Sequence, residues 1–220
     1  MYHPRVIEQR QLFRILAATV LIGLALISIT ALRRPILRSA GWGLVVEEPI
    51  QTADVIVVTA DSGAAGVLEA ADLVRGGIAR TVAVLANPPN AAAREFVRRG
   101  IPYEDAAARS ARQLRALGIA NVEQIPRAVT GTEDEGQVLP KWCDQRQLRS
   151  VVVVSTSDHS RRVRRVLRRA MKGHRTSVTI RPARYSDFDP DQWWRTRLGI
   201  RTEIFEFEKL LLDLVRHPIS

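Results

Sequence analysis

The chain has 220 residues, 46% hydrophobic side chains and a formal charge of +10 at pH 7. This is enough for one well-filled domain and a small appendage. Residues 1–40 carry a net charge of +5 and the other 180 residues carry the remaining +5. No nucleic-acid motif or aromatic-interleaved basic groove accompanies this charge, which argues against nucleic-acid binding. Cys143 is the only cysteine, so an internal disulfide is excluded.

An apolar segment near the N-terminus predicts a membrane anchor. The eighteen residues from Ile15 to Leu32 include no charged side chain, and a helix of this length is about long enough to cross a bilayer. Arg33, Arg34 and Pro35 follow it, which favours an uncleaved anchor over a signal peptide. We therefore predict a tail at 1–12, a transmembrane helix at 13–34 and a linker at 35–43. Arginines on both sides of the segment leave the topology open.

The remainder, 44–220, is predicted to form one α/β domain. Strands are expected at 44–46 (a short edge strand), 53–59, 81–86, 122–125, 151–154 and 176–180. Helices are expected at 65–75, 91–99, 103–117, 132–147, from 159 onward, and at 202–215. This alternation predicts a Rossmann-like, doubly wound, mostly parallel sheet with helices on both faces.

The main candidate site is the turn that follows the predicted strand at 151–154. Four valines, Val151 to Val154, indicate a strand buried on both faces, and the helix behind it opens near His159. Open α/β sheets bind ligands where such strands end. We expect an anion on the amides of this helix N-terminus with Arg162 supplying charge, and His159 as a candidate catalytic acid or base. The alternative is that the turn residues merely cap the helix; these residues are Ser155, Thr156, Ser157 and Asp158.

Other strand-end loops are expected to contribute to the same site. They carry Asp61, Asn87, Thr132 and Glu135 as candidate ligand-binding residues. Thr132 and Glu135 also have the spacing of a capping box. No metal site is predicted, since the histidines are not clustered with ligand spacing. A nucleophile elbow and a dinucleotide-type glycine loop are also missing from the sequence.

The helix from Arg161 to Lys172 carries seven positive charges among apolar residues at helical spacing. We interpret these charges as a solvated face. The alternative is that they face anionic lipid head groups.

Four segments in order resemble the YdcF-like family, which includes the membrane-anchored SanA and ElyC types. They are LVVEEPIQTADVIVV (44–58), Gly131-Thr132 with Glu135, VVVVSTSDHSRRV (151–163), and Trp193-Trp194 followed by Glu206-x-x-Lys209-Leu210-Leu211. The resemblance covers Trp42 to Val215 and places His159 and Arg162 on the family motif. The chain departs from the family's glycine-rich turns at Ala60-Asp61 and Asn87-Pro88.

This resemblance implies a Rossmann-like fold and a role in the bacterial cell envelope. That role would be the biogenesis of peptidoglycan and surface polysaccharide or the maintenance of the envelope barrier. It also implies a single-pass inner-membrane protein with its domain outside the cytoplasm, lipid-linked envelope precursors or envelope proteins as partners, and S-adenosylmethionine as a cofactor to test. The expected function is binding of a small anionic or nucleoside-like ligand at the His159 loop, with turnover left open. The alternatives are a non-catalytic regulator of the envelope machinery and a cytoplasm-facing S-adenosylmethionine-binding enzyme.

Overall fold

The computed structural model of the chain describes residues 4–218. They divide into two compact units, with the boundary between Ala40 and Gly41. The first unit consists of most of helix α1 (Pro4–Trp42), which continues through Pro35. Helix was therefore found at 35–42, where we expected a linker, because proline keeps a helical φ and removes only one backbone hydrogen bond. Among the described residues, no helix is long and apolar enough to cross a membrane.

The second unit alternates strands and helices as predicted. The strands are β1 (Val55–Val58), β2 (Thr81–Val84), β3 (Asn121–Gln124), β4 (Ser150–Ser155) and β5 (Ser177–Pro182). The helices are α2 (Gly63–Arg75), α3 (Ala91–Arg98), α4 (Ala106–Ala116), α5 (Thr132–Gln145), α6 (Ser160–Ala170) and α7 (Arg197–Arg216). Short 3₁₀ helices at Ser157–His159 and Trp193–Arg195 precede α6 and α7.

The five strands form one parallel sheet in the order β3-β2-β1-β4-β5. In register, Val55 to Val58 of β1 pair with Val151 to Val154 of β4. This order reverses direction between β1 and β4, so the loops after these two strands diverge to opposite faces and leave a crevice. The α/β class is confirmed, and the crevice lies beside the predicted turn.

Alternation along β1 and β4 divides the core between the two faces of the sheet. Ile56 and Val152 pack on the side of α2 and α4, with Leu114 fully buried there. Val57 and Val153 pack on the side of α5 and α6. The prediction of helices on both faces is therefore confirmed.

The predicted edge strand at 44–46 is absent from the described part of the chain, and this segment docks by other means. The carbonyl of Leu44 accepts from the amide of Arg161 at 3.0 Å, and Ser160 Oγ accepts from the amide of Val46 at 2.8 Å. Leu44 and Val45 also pack with Phe188 and Leu210 in a small third cluster. The segment thus fastens the start of the domain to α6 and α7 rather than extending the sheet.

Candidate functional site

A cleft of about 360 Å³ opens at the carboxyl edge of the sheet, where β1 and β4 diverge. The loop after β1 contributes Asp61, and the turn after β4 contributes Thr156, Asp158 and His159. The remaining lining residues come from the segment before α7 and from α7 itself: Asp187, Phe188, Leu198, Gly199, Thr202, Glu206 and Lys209. The predicted turn therefore does form one wall of a cleft.

His159 stands between a carboxylate and a hydroxyl. Its Nδ1 lies 3.0 Å from Glu206 Oε2, and its Nε2 lies 2.8 Å from Thr132 Oγ1. Arg162 Nη1 donates to the same Thr132 oxygen at 2.7 Å. Because a guanidinium can only donate, the Thr132 hydroxyl accepts from it and can direct its own proton to Nε2. With the imidazole proton on Nδ1, every contact in this relay of carboxylate, imidazole and hydroxyl is satisfied.

Arg162 is held within this network. Its Nε donates to Glu206 at 3.4 Å, and its Nη2 lies 2.9 Å from Nδ1 and 3.2 Å from Nε2 of His159. All three guanidinium nitrogens thus contact protein groups. These contacts engage three of its five N–H donors, and Arg162 is not among the residues that line the cleft.

Glu206 is the ionised member of the network. Burial opposes its ionisation, but the hydrogen bond to His159, the Lys209 ammonium 2.6 Å away and the Arg162 charge outweigh burial and lower the pKa of Glu206 to about 2. Its side chain is only 10% exposed. A buried, permanently charged carboxylate on Nδ1 fixes the ring and stabilises a proton that the ring takes up.

Thr132 and Glu135 do not form the predicted capping box. Thr132 is the first residue of α5, no side chain caps that helix, and its hydroxyl is directed to His159 instead. Glu135 reaches across to the amide of Ala60 at 3.3 Å, while its second oxygen is buried without a hydrogen-bond partner. Burial raises the pKa of Glu135. The capping-box spacing therefore marks two side chains of the site.

A second pair of acids lies next to the relay, on the turn and on α7. Burial raises the pKa of Glu203 to about 7, and the negative charge of Asp158 adds to this shift. Burial likewise raises the pKa of Asp158, with Glu206 contributing. The pKa of Glu203 is thus raised while that of Glu206, three residues later on α7, is lowered. Neighbouring carboxyl groups with opposite pKa shifts are typical of sites that do acid–base chemistry.

The serine and threonine side chains of the turn are not helix caps. Ser155 Oγ donates to the carbonyl of Thr156 at 3.0 Å, and Ser157 Oγ donates to the carbonyl of Phe188 at 3.2 Å. Neither the 3₁₀ helix nor α6 receives a side-chain cap. The capping alternative is therefore wrong. The Ser157 hydroxyl thus holds the turn to the segment that leads into α7, whereas the Ser155 hydroxyl bonds within the turn.

The amides at the opening of α6 are also engaged by the protein. The amide of Ser157 donates to Ser186 Oγ at 3.0 Å, that of His159 to the carbonyl of Thr156 at 3.2 Å, and that of Arg161 to the carbonyl of Leu44 at 3.0 Å. An anion on these amides stays a prediction, and it would have to compete with these bonds.

Asp61 and Asn87 meet across two strand ends, as expected from the sheet order. Asn87 Nδ2 donates to Asp61 Oδ1 at 2.9 Å. Asp61 lines the cleft and Asn87 does not. Asn87 therefore orients the Asp61 carboxylate, and Asp61 is the one that a ligand can reach.

The sequence analysis did not single out the acids of α7 as site residues. Glu203, Glu206 and Asp213 recur at intervals of three and seven residues on one buried face of the helix, with Leu210 between them. Acidic residues with the periodicity of a core face are the signal that could have revealed them.

Most arginines of α6 are half-buried and ion-paired and only Arg168 is exposed, so the interpretation of this helix face as solvated is wrong for most of its charges. Arg165 lies 2.6 Å and Arg169 2.7 Å from the carboxylate oxygens of Asp213, while Arg164 lies 2.5 Å from Glu48. The pairs of Arg165 and Arg169 with Asp213 and the contact of Arg162 with Glu206 join α6 to α7, whereas Arg164 joins α6 to the segment before β1. The basic stripe of one helix faces the acidic stripe of the other.

One group of potential metal ligands occurs among the described residues, formed by Glu133, Asp213 and His217. Both oxygens of Asp213 already contact arginines. We therefore assign this group to the ion-pair network of α6 and α7.

Comparisons with known proteins yield a likeness in structure alone. No family model and no curated protein matches the sequence. A mycobacterial protein solved in complex with NADPH superposes with a TM-score of 0.31 at 13% identity, over 84% of this chain and 52% of that one. A mycobacterial quinone oxidoreductase gives 0.31 at 12% identity, over 83% and 52%. This chain thus spans about half the length of either neighbour, and the YdcF-like resemblance stays a prediction.

Proposed function

We propose that the chain is an acid–base enzyme whose active site is the relay of Glu206, His159 and Thr132. The observation that carries this proposal is that His159 contacts a buried carboxylate through Nδ1 and a hydroxyl through Nε2, beside a cleft. The same order of groups activates hydroxyls in many unrelated enzymes. His159 takes the proton of the hydroxyl at Nε2, which belongs to Thr132 or to a substrate that replaces it. Glu206 stabilises the charge that the ring acquires.

The lining of the cleft favours the nucleoside-like ligand over a free anion. Asp61, Asp158 and Asp187 contribute carboxyl groups, whereas Lys209 supplies the ammonium. Carboxylates accept hydrogen bonds from ribose or sugar hydroxyls and repel phosphate groups. A hydroxyl-rich ligand, neutral or cationic, is therefore the class we propose. S-adenosylmethionine belongs to this class, and its binding would support the alternative of a cytoplasm-facing enzyme.

The cellular role in this proposal is bacterial envelope biogenesis or barrier maintenance, supported by the resemblance to the YdcF-like family. The same resemblance supports an inner-membrane protein anchored by residues 13–34, with the domain outside the cytoplasm and lipid-linked precursors or envelope proteins as partners. If the relay were catalytically silent, the chain would instead act as a regulator of the envelope machinery.

Variants of the relay test this proposal in a strain that lacks the gene and shows an envelope defect. Thr132→Ser keeps the hydroxyl and should restore the barrier, whereas Thr132→Val and His159→Ala should not. Arg168→Ala changes an exposed arginine of α6 and serves as the matched control. Equal membrane levels of all variants are checked by immunoblot. Full restoration of the envelope barrier by His159→Ala would refute the proposal of an enzyme and leave the alternative of a non-catalytic regulator.

Calorimetric titration tests the cofactor separately. Heat on adding S-adenosylmethionine to the intact protein, lost in Asp61→Asn, would support binding in the cleft. An absence of heat at saturating ligand would exclude this cofactor without bearing on the relay.

A further inference from the structure

A second cavity, of about 320 Å³, opens between helices α5, α6 and α7, and we call it the basic cavity. Glu133 of α5 and Arg162 of α6 form two of its walls. One face of α7 lines the rest through residues at helical spacing, namely Lys209, Leu212, Asp213, Arg216 and His217. Arg162, which the sequence predicted to contact an anion, thus belongs to this cavity and is not among the lining residues of the cleft.

The two carboxylates that line the basic cavity already have arginine partners. Asp213 is buried, and its two oxygens lie 2.6 Å from Arg165 and 2.7 Å from Arg169. Arg169 also lies 3.2 Å from Glu133. These two acids are therefore paired with cations behind the wall, and they leave the lining cations to other partners.

The lining cations keep N–H donors that no described protein group engages. Arg216 is exposed, and among residues 4–218 no hydrogen bond or ion pair engages its side chain. Lys209 donates to Glu206 at 2.6 Å, which uses one of its three donors. Two of the five donors of Arg162 are likewise left over. The cavity thus offers charged donors whose acceptors a ligand can supply.

Positive charge is in excess around the basic cavity. Among the described residues, five cations in its walls or bonded to them face three carboxylates. The cations are Arg162, Arg165, Arg169, Lys209 and Arg216, and the carboxylates are Glu133, Glu206 and Asp213. An excess of this sign attracts an anion and repels a metal ion.

We propose that the basic cavity binds the phosphate group of a small ligand. A phosphate has several acceptor oxygens and a double charge, which guanidinium and ammonium groups recognise through charge-assisted hydrogen bonds. The cavity has room for more than a bare ion, because its volume lies within the range of small-molecule sites. This site is additional to the cleft, and it depends neither on the chemistry of the relay nor on the membrane anchor.

Calorimetric titration of the intact chain with glycerol 3-phosphate and with inorganic phosphate, at constant ionic strength, tests this site. Arg216→Ala removes a lining cation that has no described partner, so the fold should be retained. Arg168→Ala removes an exposed arginine of α6 outside the basic cavity and is the matched control. Arg216→Lys keeps the charge and should keep most of the affinity.

We expect wild type and Arg168→Ala to bind glycerol 3-phosphate equally, and Arg216→Ala to bind it at least about tenfold more weakly, because a charge-assisted hydrogen bond is lost. Tighter binding of glycerol 3-phosphate than of inorganic phosphate would assign the site to an organic phosphate, and equal binding would assign it to free phosphate. The absence of heat with both ligands at millimolar concentration would overturn the proposal, and so would equal affinities of wild type and Arg216→Ala.

A variant of the cleft distinguishes the two cavities. Asp61→Asn removes a carboxylate that lines the cleft and would repel a phosphate there. A phosphate in the basic cavity should bind this variant about as tightly as wild type. Tighter binding to Asp61→Asn, together with unchanged binding to Arg216→Ala, would place the phosphate in the cleft and overturn the proposal.

Discussion

Replacing Glu206 by glutamine should destabilise the protein by an amount that the structure lets us work out. The carboxylate is buried, contacts His159 and Lys209, and has a pKa lowered from 4.5 to about 2. A shift of this size corresponds to about 3 kcal/mol of native-state stabilisation of the charged form. Glutamine keeps the shape and an acceptor but loses the charge, so about this much stability should be lost at pH 7.

The pH dependence follows from the sign of the shift. Because the pKa of Glu206 is lower in the folded than in the unfolded chain, its contribution is fully present above pH 4.5 and is lost as the pH falls toward 2. The difference between wild type and Glu206→Gln should therefore be largest at neutral pH and should close in this acidic range.

Thermal unfolding followed by tryptophan fluorescence measures this difference. For a chain of this size, about 3 kcal/mol corresponds to a decrease in Tm of roughly 6–12 °C. Glu208→Gln removes an exposed acid two positions away on the same helix and should change Tm little. A difference in unfolding free energy between wild type and Glu206→Gln below about 1 kcal/mol at pH 7, the scale of an exposed ion pair, would refute the argument. A difference at pH 2 as large as that at pH 7 would refute it as well.

Two further predictions concern the second acid pair and the packing of α5 on α6. Burial raises the pKa of Glu203 to about 7, so its stabilising contribution is present below pH 4.5 and is lost as the pH rises through 7. The Tm of wild type should therefore decrease more between pH 5 and pH 8 than the Tm of Glu203→Gln, and equal decreases would contradict the assignment. A Cβ at Gly136 would lie 2.7 Å from Val166 Cγ1, so Gly136→Ala should cost about 1–3 kcal/mol by overpacking. Adding Val166→Ala should recover part of that loss in a double-mutant cycle of urea unfolding, and strict additivity would argue against the clash.

The fold class follows from local patterns, because alternating β-branched runs and helical periodicity record burial directly in the sequence. Val151 to Val154 identify the central strand for this reason. The position of the candidate site follows as well, since a parallel sheet brings the ends of its strands to one edge. His159, Thr132 and Glu135 could thus be grouped before their contacts were known.

The partners within the site could not be predicted in the same way. Glu206 lies 47 positions beyond His159, and only the docking of α7 on α6 brings them together. Thr132 and Glu135 matched a local motif whose bonds compete with long-range ones, and the long-range bonds prevailed. The arginines of α6 looked solvated because a charge stripe reveals nothing about an opposite stripe elsewhere in the chain.

The ion pairs between the basic stripe of α6 and the acidic stripe of α7 fix the position and rotation of the C-terminal helix. Apolar faces tolerate sliding, since one leucine can occupy another's place, but a charge accepts only a partner of opposite sign. A slip of α7 by one residue would rotate Glu206 and Asp213 by about 100° and leave buried arginines unpaired. The same slip would withdraw the carboxylate from His159. The ion pairs between the two helices thus hold α7 in the one position that completes the relay.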